Sequence, residues 1–177
     1  YYANILWPFS LLVIRKIEEI QKLGLKIRMI APSHGIIWRS NPTKIVEAYL
    51  RWAKGEAGNK ILVVYDTMWS STEKMAKAMV EGIRSEGVET MLFRIPFSDR
   101  GDIIKELLEA KGILIGSSTI NNSVLPTVAP FLEEMQGLRP RNKMAAAFGS
   151  YGWGGGAVKT IEEKLEKAGM EIVAPAL

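Results

Sequence analysis

The strongest constraint on this chain is an alternation. From residue 60 to 174, short apolar runs of strand length take turns with stretches whose apolar residues recur at helical spacing. KILVVY (60–65), VETMLF (88–93), KGILIG (111–116) and KMAAAFG (143–149) are the runs, and MEIV (170–173) opens a fifth. Between them Met75, Ala76, Met79, Val80 and Ile83 share one helical face, as do Ile103, Ile104, Leu107 and Leu108. Val158, Ile161, Leu165 and Ala168 form another such face, and Leu125 to Gly137 reads as a helix with prolines near its start. Strands alternating with helices of this length pack as right-handed βαβ units, which predicts an α/β fold with a doubly wound, five-stranded parallel sheet. A closing helix normally follows the fifth strand. The expectation is a chain cut short there, and at its start too, where Tyr1 stands in place of Met.

Residues 1 to 54 carry a different pattern. LLVIRKIEEIQKL predicts an amphipathic helix, LKIRMIA a strand, and PTKIVEAYLRWAK a second helix opened by proline. The polar stretch KGEAGN (54–59) separates the two patterns, so a boundary falls there, with one unit over 1–56 and another over 57–177.

Composition narrows the function. No run reaches the roughly 18 consecutive apolar residues of a membrane span, and no secretory leader pattern is present. The absence of cysteine excludes disulfides, zinc ribbons and cysteine-held iron–sulfur clusters within these residues and fits a cytoplasmic setting. The net charge of +4 is scattered through helices and loops and forms no basic stripe, so nucleic acid is not expected as a partner.

In an open parallel sheet, ligands sit beyond the carboxyl ends of the strands. Three of the segments that follow strands stand out. DTMWSST (66–72) crowds hydroxyls at Thr67, Ser70, Ser71 and Thr72 before a helix, where a cap needs only one. Open amides and the helix dipole there favour an anion, and the loop holds no lysine or arginine. The triphosphate-binding pattern G-x-x-x-x-G-K-[ST] is absent, so the hydroxyls point to a monophosphate. SYGWGGG (150–156) sets Tyr151 and Trp153 among glycines, suited to stacking on a flat ring that the backbone approaches closely. SSTINNS (117–123) adds Thr119, Asn121 and Asn122, suited to a ring edge or a polyol.

With those residues in view, a resemblance becomes specific. YDTMWSSTEKMA, STINNSVLP and FGSYGWGGGA resemble the flavodoxin half of flavodiiron proteins (A-type flavoproteins), and IAPSHGIIWR (30–39) resembles the end of their metallo-β-lactamase-like half. The likeness runs along essentially all 177 residues. It implies a flavodoxin-like sheet of order 2-1-3-4-5, preceded by the C-terminal end of a metallo-β-lactamase-like αββα domain. It implies FMN, with electrons passed to a non-haem diiron centre that reduces dioxygen to water or nitric oxide to nitrous oxide. A rubredoxin or a reduced deazaflavin would supply the electrons, and a head-to-tail homodimer would set each FMN against the partner's iron.

The resemblance carries Thr67, Met68, Trp69, Ser70, Ser71 and Thr72 over to the phosphate. It carries Ser118, Thr119, Ile120, Asn121, Asn122, Ser150, Tyr151, Gly152, Trp153, Gly154 and Gly155 over to the ribityl chain and ring, and His34 to a metal ligand. No residue is assigned as acid or base: the protein positions the isoalloxazine and tunes its potential, with Tyr151 or Trp153 stacking on it. Two positions depart from the family pattern. Ser70 stands where glycine is common, which predicts strain if the backbone has positive φ, and Ser118 replaces a usual proline, which predicts a looser second loop. His34 is the only histidine, so these residues by themselves do not complete a diiron site.

Three other readings compete. GWGGGA (152–157) fits the dinucleotide fingerprint G-x-G-x-x-A with Glu171 downstream, but Tyr151 and Trp153 are bulky where a pyrophosphate must approach. A flavodoxin-like electron carrier or docking module without diiron chemistry is the second. A serine hydrolase is the third and least favoured, because no G-x-S-x-G occurs and Ser33 and His34 are adjacent.

Overall fold

A computed structural model describes all of residues 1–177. Its centre is the expected parallel sheet: β1 (Lys60–Tyr65), β2 (Glu89–Arg94), β3 (Gly112–Ser118), β4 (Met144–Ser150) and β5 (Glu171–Ile172), in the order β2-β1-β3-β4-β5. The chain reverses its direction of travel across the sheet between β1 and β3, which opens a crevice at their carboxyl ends.

Helices cover both faces because each strand is apolar on both. Successive side chains of a strand point to opposite sides. Val63 and Tyr65 pack with Phe148 under Ala76 and Val80 of α3 (Ser71–Ser85). Leu62, Val64, Ile113, Ile115, Ala145 and Ala147 join the larger core on the other face, beneath α4 (Arg100–Glu109), α5 (Ala129–Leu138) and α6 (Ala157–Lys167). Gly116 makes room for the buried Phe148: a methyl group there would lie 2.2 Å from the ring.

Helix α4 begins at Asp99, whose carboxylate accepts the Asp102 N–H as an N-cap. The helix expected over Leu125–Gly137 starts later, at Ala129, with Pro130 in its first turn. Pro126 disfavours a helical Leu125, and the Leu125 N–H goes instead to the Ser117 hydroxyl at 2.9 Å. At β5 only two residues pair as a strand. Leu177 then rejoins the ladder, donating to Ala147 O and accepting from Gly149 N.

In the first part of the chain, α1 (Ser10–Lys22) and α2 (Thr43–Lys54) pack on each other, and Gly55 ends α2 in the left-handed conformation. The strand expected at LKIRMIA (25–31) does not form. A strand needs a ladder partner, and this segment finds a single antiparallel bridge, Ile30 to Trp38. Leu25, Ile27 and Met29 are left exposed. Tyr2, Ala3 and Trp7, from two short helical turns ahead of α1, sink into the large core against α4 and α5. Apolar packing therefore crosses the boundary proposed at 54–59.

Candidate functional site

All three unusual loops lie at the carboxyl edge of the sheet, and three hydroxyls join them. Thr72 Oγ1 is 3.0 Å from Ser118 Oγ and 2.9 Å from Ser150 Oγ, and the two serine hydroxyls are 3.3 Å apart. Parallel pairing explains why the serines meet, since Ser118 and Ser150 are register partners at the ends of β3 and β4. Thr72 reaches them because the first turn of α3 starts over the same edge. Ser118 also accepts the Met68 N–H at 3.3 Å. Serine at 118 is buried, and through this bond its hydroxyl ties the first loop to the end of β3.

Ser70 adopts φ 65°, ψ 2°, so the positive φ that favours glycine is present at this position. Its side chain makes no capping bond. The first-turn amides of α3 are left open, where the helix dipole is positive. Thr67 is 6% exposed, and its Oγ1 has no hydrogen-bond partner. A buried hydroxyl without a partner, in the loop that leads to those open amides, calls for an acceptor or donor that the chain itself does not supply. The residues present therefore fit a mononucleotide phosphate. Glu73, in that first turn, is a local negative charge, but Lys77 lies 2.6 Å from it and holds its carboxyl below the usual range.

The other two loops are interlocked. Asn121 and Asn122 have φ 49° and 57°, forming a tight turn closed by paired bonds between Ile120 and Ser123. Gly156 lies so close to this turn that a methyl group would sit 2.0 Å from Asn122 O. Thr119 Oγ1 accepts the Gly156 and Ala157 amides at 3.3 and 3.2 Å. It therefore caps α6 from a neighbouring loop, a role that the sequence reading did not foresee. The glycines of the G-x-G-x-x-A match, Gly152 and Gly154, are uncrowded, so what counts against a pyrophosphate there is the bulk of Tyr151 and Trp153 and the position of the match after β4 rather than β1.

Around this rim the aromatic side chains stay in solvent. Trp153 is fully exposed, Trp69 is 86% exposed and Tyr151 66%, an arrangement that leaves ring faces free for stacking. Burial and desolvation raise the pKa of Tyr65 beneath the site, with the Glu73 carboxylate adding to the effect.

His34 is not brought to this edge. It is exposed, its Nδ1 lies 3.0 Å from Ser33 Oγ, and its ring stacks on Tyr1 at 5.1 Å. It lines an apolar cavity of about 980 Å³ between α1, α2 and the last turn of α4. That turn lies at the amino ends of the strands. No group of three or more histidine, cysteine or carboxylate side chains is placed to hold a metal. Two polar residues missed in the sequence reading, Asp66 and Arg94, lie under the first loop. An acidic residue directly after β1 was the available signal.

The Flavodoxin family model matches residues 63–177. The chain is 56% identical over 98% of its length to a nitric oxide reductase of Moorella thermoacetica, and 49% identical over 97% to an anaerobic nitric oxide reductase flavorubredoxin of Escherichia coli. It spans 44% and 36% of those two relatives. Among solved structures it matches the rubredoxin oxygen:oxidoreductase of Desulfovibrio gigas with a TM-score of 0.96 at 38% identity. It matches the flavodiiron protein of Giardia intestinalis with a TM-score of 0.86 at 33% identity. Each match covers 99% of this chain, and 44% and 45% of the respective structures.

Proposed function

The chain belongs to the flavodoxin family, and from that premise we propose that it holds FMN as the electron-transfer part of a flavodiiron oxidoreductase reducing nitric oxide or dioxygen. The observation that carries the reading is the hydroxyl junction of Thr72, Ser118 and Ser150 beside the unpartnered hydroxyl of Thr67. It places neutral donors at a helix start, where an anion without a protein cation is best held. In this reading Thr67, Ser71 and the open amides of α3 grip the phosphate, while Ser118 and Ser150 orient the Thr72 hydroxyl. The turn at Asn121–Asn122 and the strand-end loop at Ser150–Gly155 receive the ribityl chain and ring.

Bound FMN supplies one- and two-electron chemistry. The residues around it position the ring and exclude water from one face, with Trp69, Tyr151 and Trp153 as the available stacking surfaces. His34 is proposed as one ligand of an iron site completed by residues outside this chain. Within one chain it lies at the far end from the flavin loops, so a head-to-tail pair of copies is the arrangement that would bring the two together. A rubredoxin-type donor is proposed because the relatives include a flavorubredoxin and a rubredoxin oxygen:oxidoreductase, and the setting is proposed to be cytoplasmic. No helix is long and apolar enough to cross a membrane.

Titration with FMN tests the reading. Quenching of flavin fluorescence with a yellow protein after gel filtration is the expected result. A colourless protein that binds NADH instead would overturn it.

A further inference from the structure

We infer that Asp66 and Arg94 form a charge-compensated pair that sets the first loop for a phosphate: Asp66 positions the loop, and Arg94 keeps that carboxylate from repelling the anion. The inference rests on the FMN reading above. Asp66 directly precedes the loop and is 5% exposed. Its Oδ1 accepts the Thr67 N–H at 2.8 Å, and its Oδ2 accepts the Thr127 hydroxyl at 2.5 Å. One buried carboxylate thus fixes the start of the first loop and the segment leading into α5. The bond to Thr67 N also holds the residue whose Oγ1 has no partner.

Such a carboxylate is costly where a phosphate is to bind. The loop from Thr67 to Thr72 contains no lysine or arginine, and repulsion between anions grows as water is excluded. Arg94 is the one cation paired with Asp66, its Nε 3.4 Å from Oδ1. Strand register puts it there, since Arg94 is opposite Tyr65, the residue before Asp66. The guanidinium also lies over the exposed ring of Phe97, 4.9 Å from its centroid, a second contact that restrains it. Arg94 acts through Asp66 and is a positioning residue rather than a phosphate ligand.

Comparing FMN with riboflavin, which lacks the phosphate, isolates this effect. Arg94→Gln is expected to weaken FMN binding about tenfold by fluorescence titration, the order expected for one uncompensated charge at partly screened distance, while riboflavin affinity changes little. The double variant Asp66→Asn/Arg94→Gln should restore FMN binding to within about threefold of the parent, because Asn keeps the acceptor for Thr67 N–H without the charge. Arg94→Lys keeps the charge and should stay near the parent; it also serves if Arg94→Gln does not fold. Equal losses for FMN and riboflavin, no rescue in the double variant, or a loss in Arg94→Lys as large as in Arg94→Gln would each overturn the inference. A parent protein that binds no FMN overturns the cofactor reading and the pair's role with it. A parent that binds FMN beside an Arg94→Gln variant of unchanged affinity overturns the pair's role alone.

Discussion

Thr72 Oγ1 lies 2.9 Å from Ser150 Oγ, so the first turn of α3 is bonded to the end of β4, 78 residues further along the chain. Thr72 is completely buried, and Ser118 completes the triangle from β3. Each hydroxyl has one hydrogen to give and accepts more than one. Being buried, the Thr72 hydroxyl acts on the site by anchoring the first turn of α3, and with it the open amides, to the ends of β3 and β4. Removing that hydroxyl should therefore cost both fold and cofactor. Thr72→Val keeps the shape and is expected to lower stability by about 1–3 kcal/mol in urea unfolding, since two serines lose a partner. It should also weaken FMN more than riboflavin. Unchanged affinities for both would remove Thr72 from the phosphate site.

Ser70 sits at φ 65° without a capping bond to repay the strain. Ser70→Gly is expected to stabilise the protein by up to about 1 kcal/mol, and Ser70→Val, β-branched, to destabilise it by more. Thermal or urea unfolding reads both. A less stable glycine variant would mean that the hydroxyl matters more than the backbone.

Gly156 leaves no room for a side chain: Asn122 O lies where its methyl group would be. The obstacle is backbone, so it cannot be relieved by a rotamer change. Gly156→Ala should push the two loops apart, reduce stability and reduce flavin affinity. Gly152→Ala, with open space around it, should do far less to stability. Similar stability losses in both variants would rule out the close contact as the cause.

Trp153 is fully exposed and so contributes little packing. Trp153→Ala should leave stability within about 0.5 kcal/mol of the parent. It should weaken flavin binding or shift its midpoint potential, measured by spectroelectrochemistry. If neither quantity moves, the stacking role passes to Trp69 or Tyr151.

Lys143 is buried at the amino end of β4 and donates to the carbonyls of Leu108 and Ala110, closing the end of α4. Trp7 packs near it, its ring centroid 5.9 Å from Nζ. Burial lowers its pKa from 10.5 to about 8, with the Lys111 and Lys60 ammonium groups adding to the shift and the Glu109 carboxylate opposing it. Between those two values the unfolded chain binds more protons than the folded one, so stability rises with pH. Below about pH 8 the full cost of the buried charge is present. Urea unfolding from pH 7.5 to 10 should show an increase of at most about 3 kcal/mol from this group, and Lys143→Met should flatten it. Tyr2, Tyr49 and Tyr65 have pKa values raised above the ordinary 10.0, chiefly by burial, so they oppose this rise only at the top of the window, where the unfolded chain's tyrosines begin to ionise.

Much of the fold was legible because periodicity is a local property. Each strand of the sheet begins within a residue or so of its expected place, and α3, α4 and α6 follow their apolar faces. The hydroxyl-rich first loop and the aromatic–glycine third loop were visible as composition that no simple turn explains. LKIRMIA misled for the same reason: its pattern suits a strand, but a strand exists only when another segment pairs with it.

The residues by themselves determined the α/β class, the three loops on one edge and the chemistry those loops suit, because spacing and side-chain type are written along the chain. Which hydroxyls meet was decided only by folding. Parallel register set Ser118 beside Ser150 and Arg94 beside the strand leading to Asp66, pairings between residues 32 and 28 apart in the sequence. Folding also gave the Thr119 hydroxyl a role as a cap for α6, because the unpaired amides of Gly156 and Ala157 come within its reach from another loop.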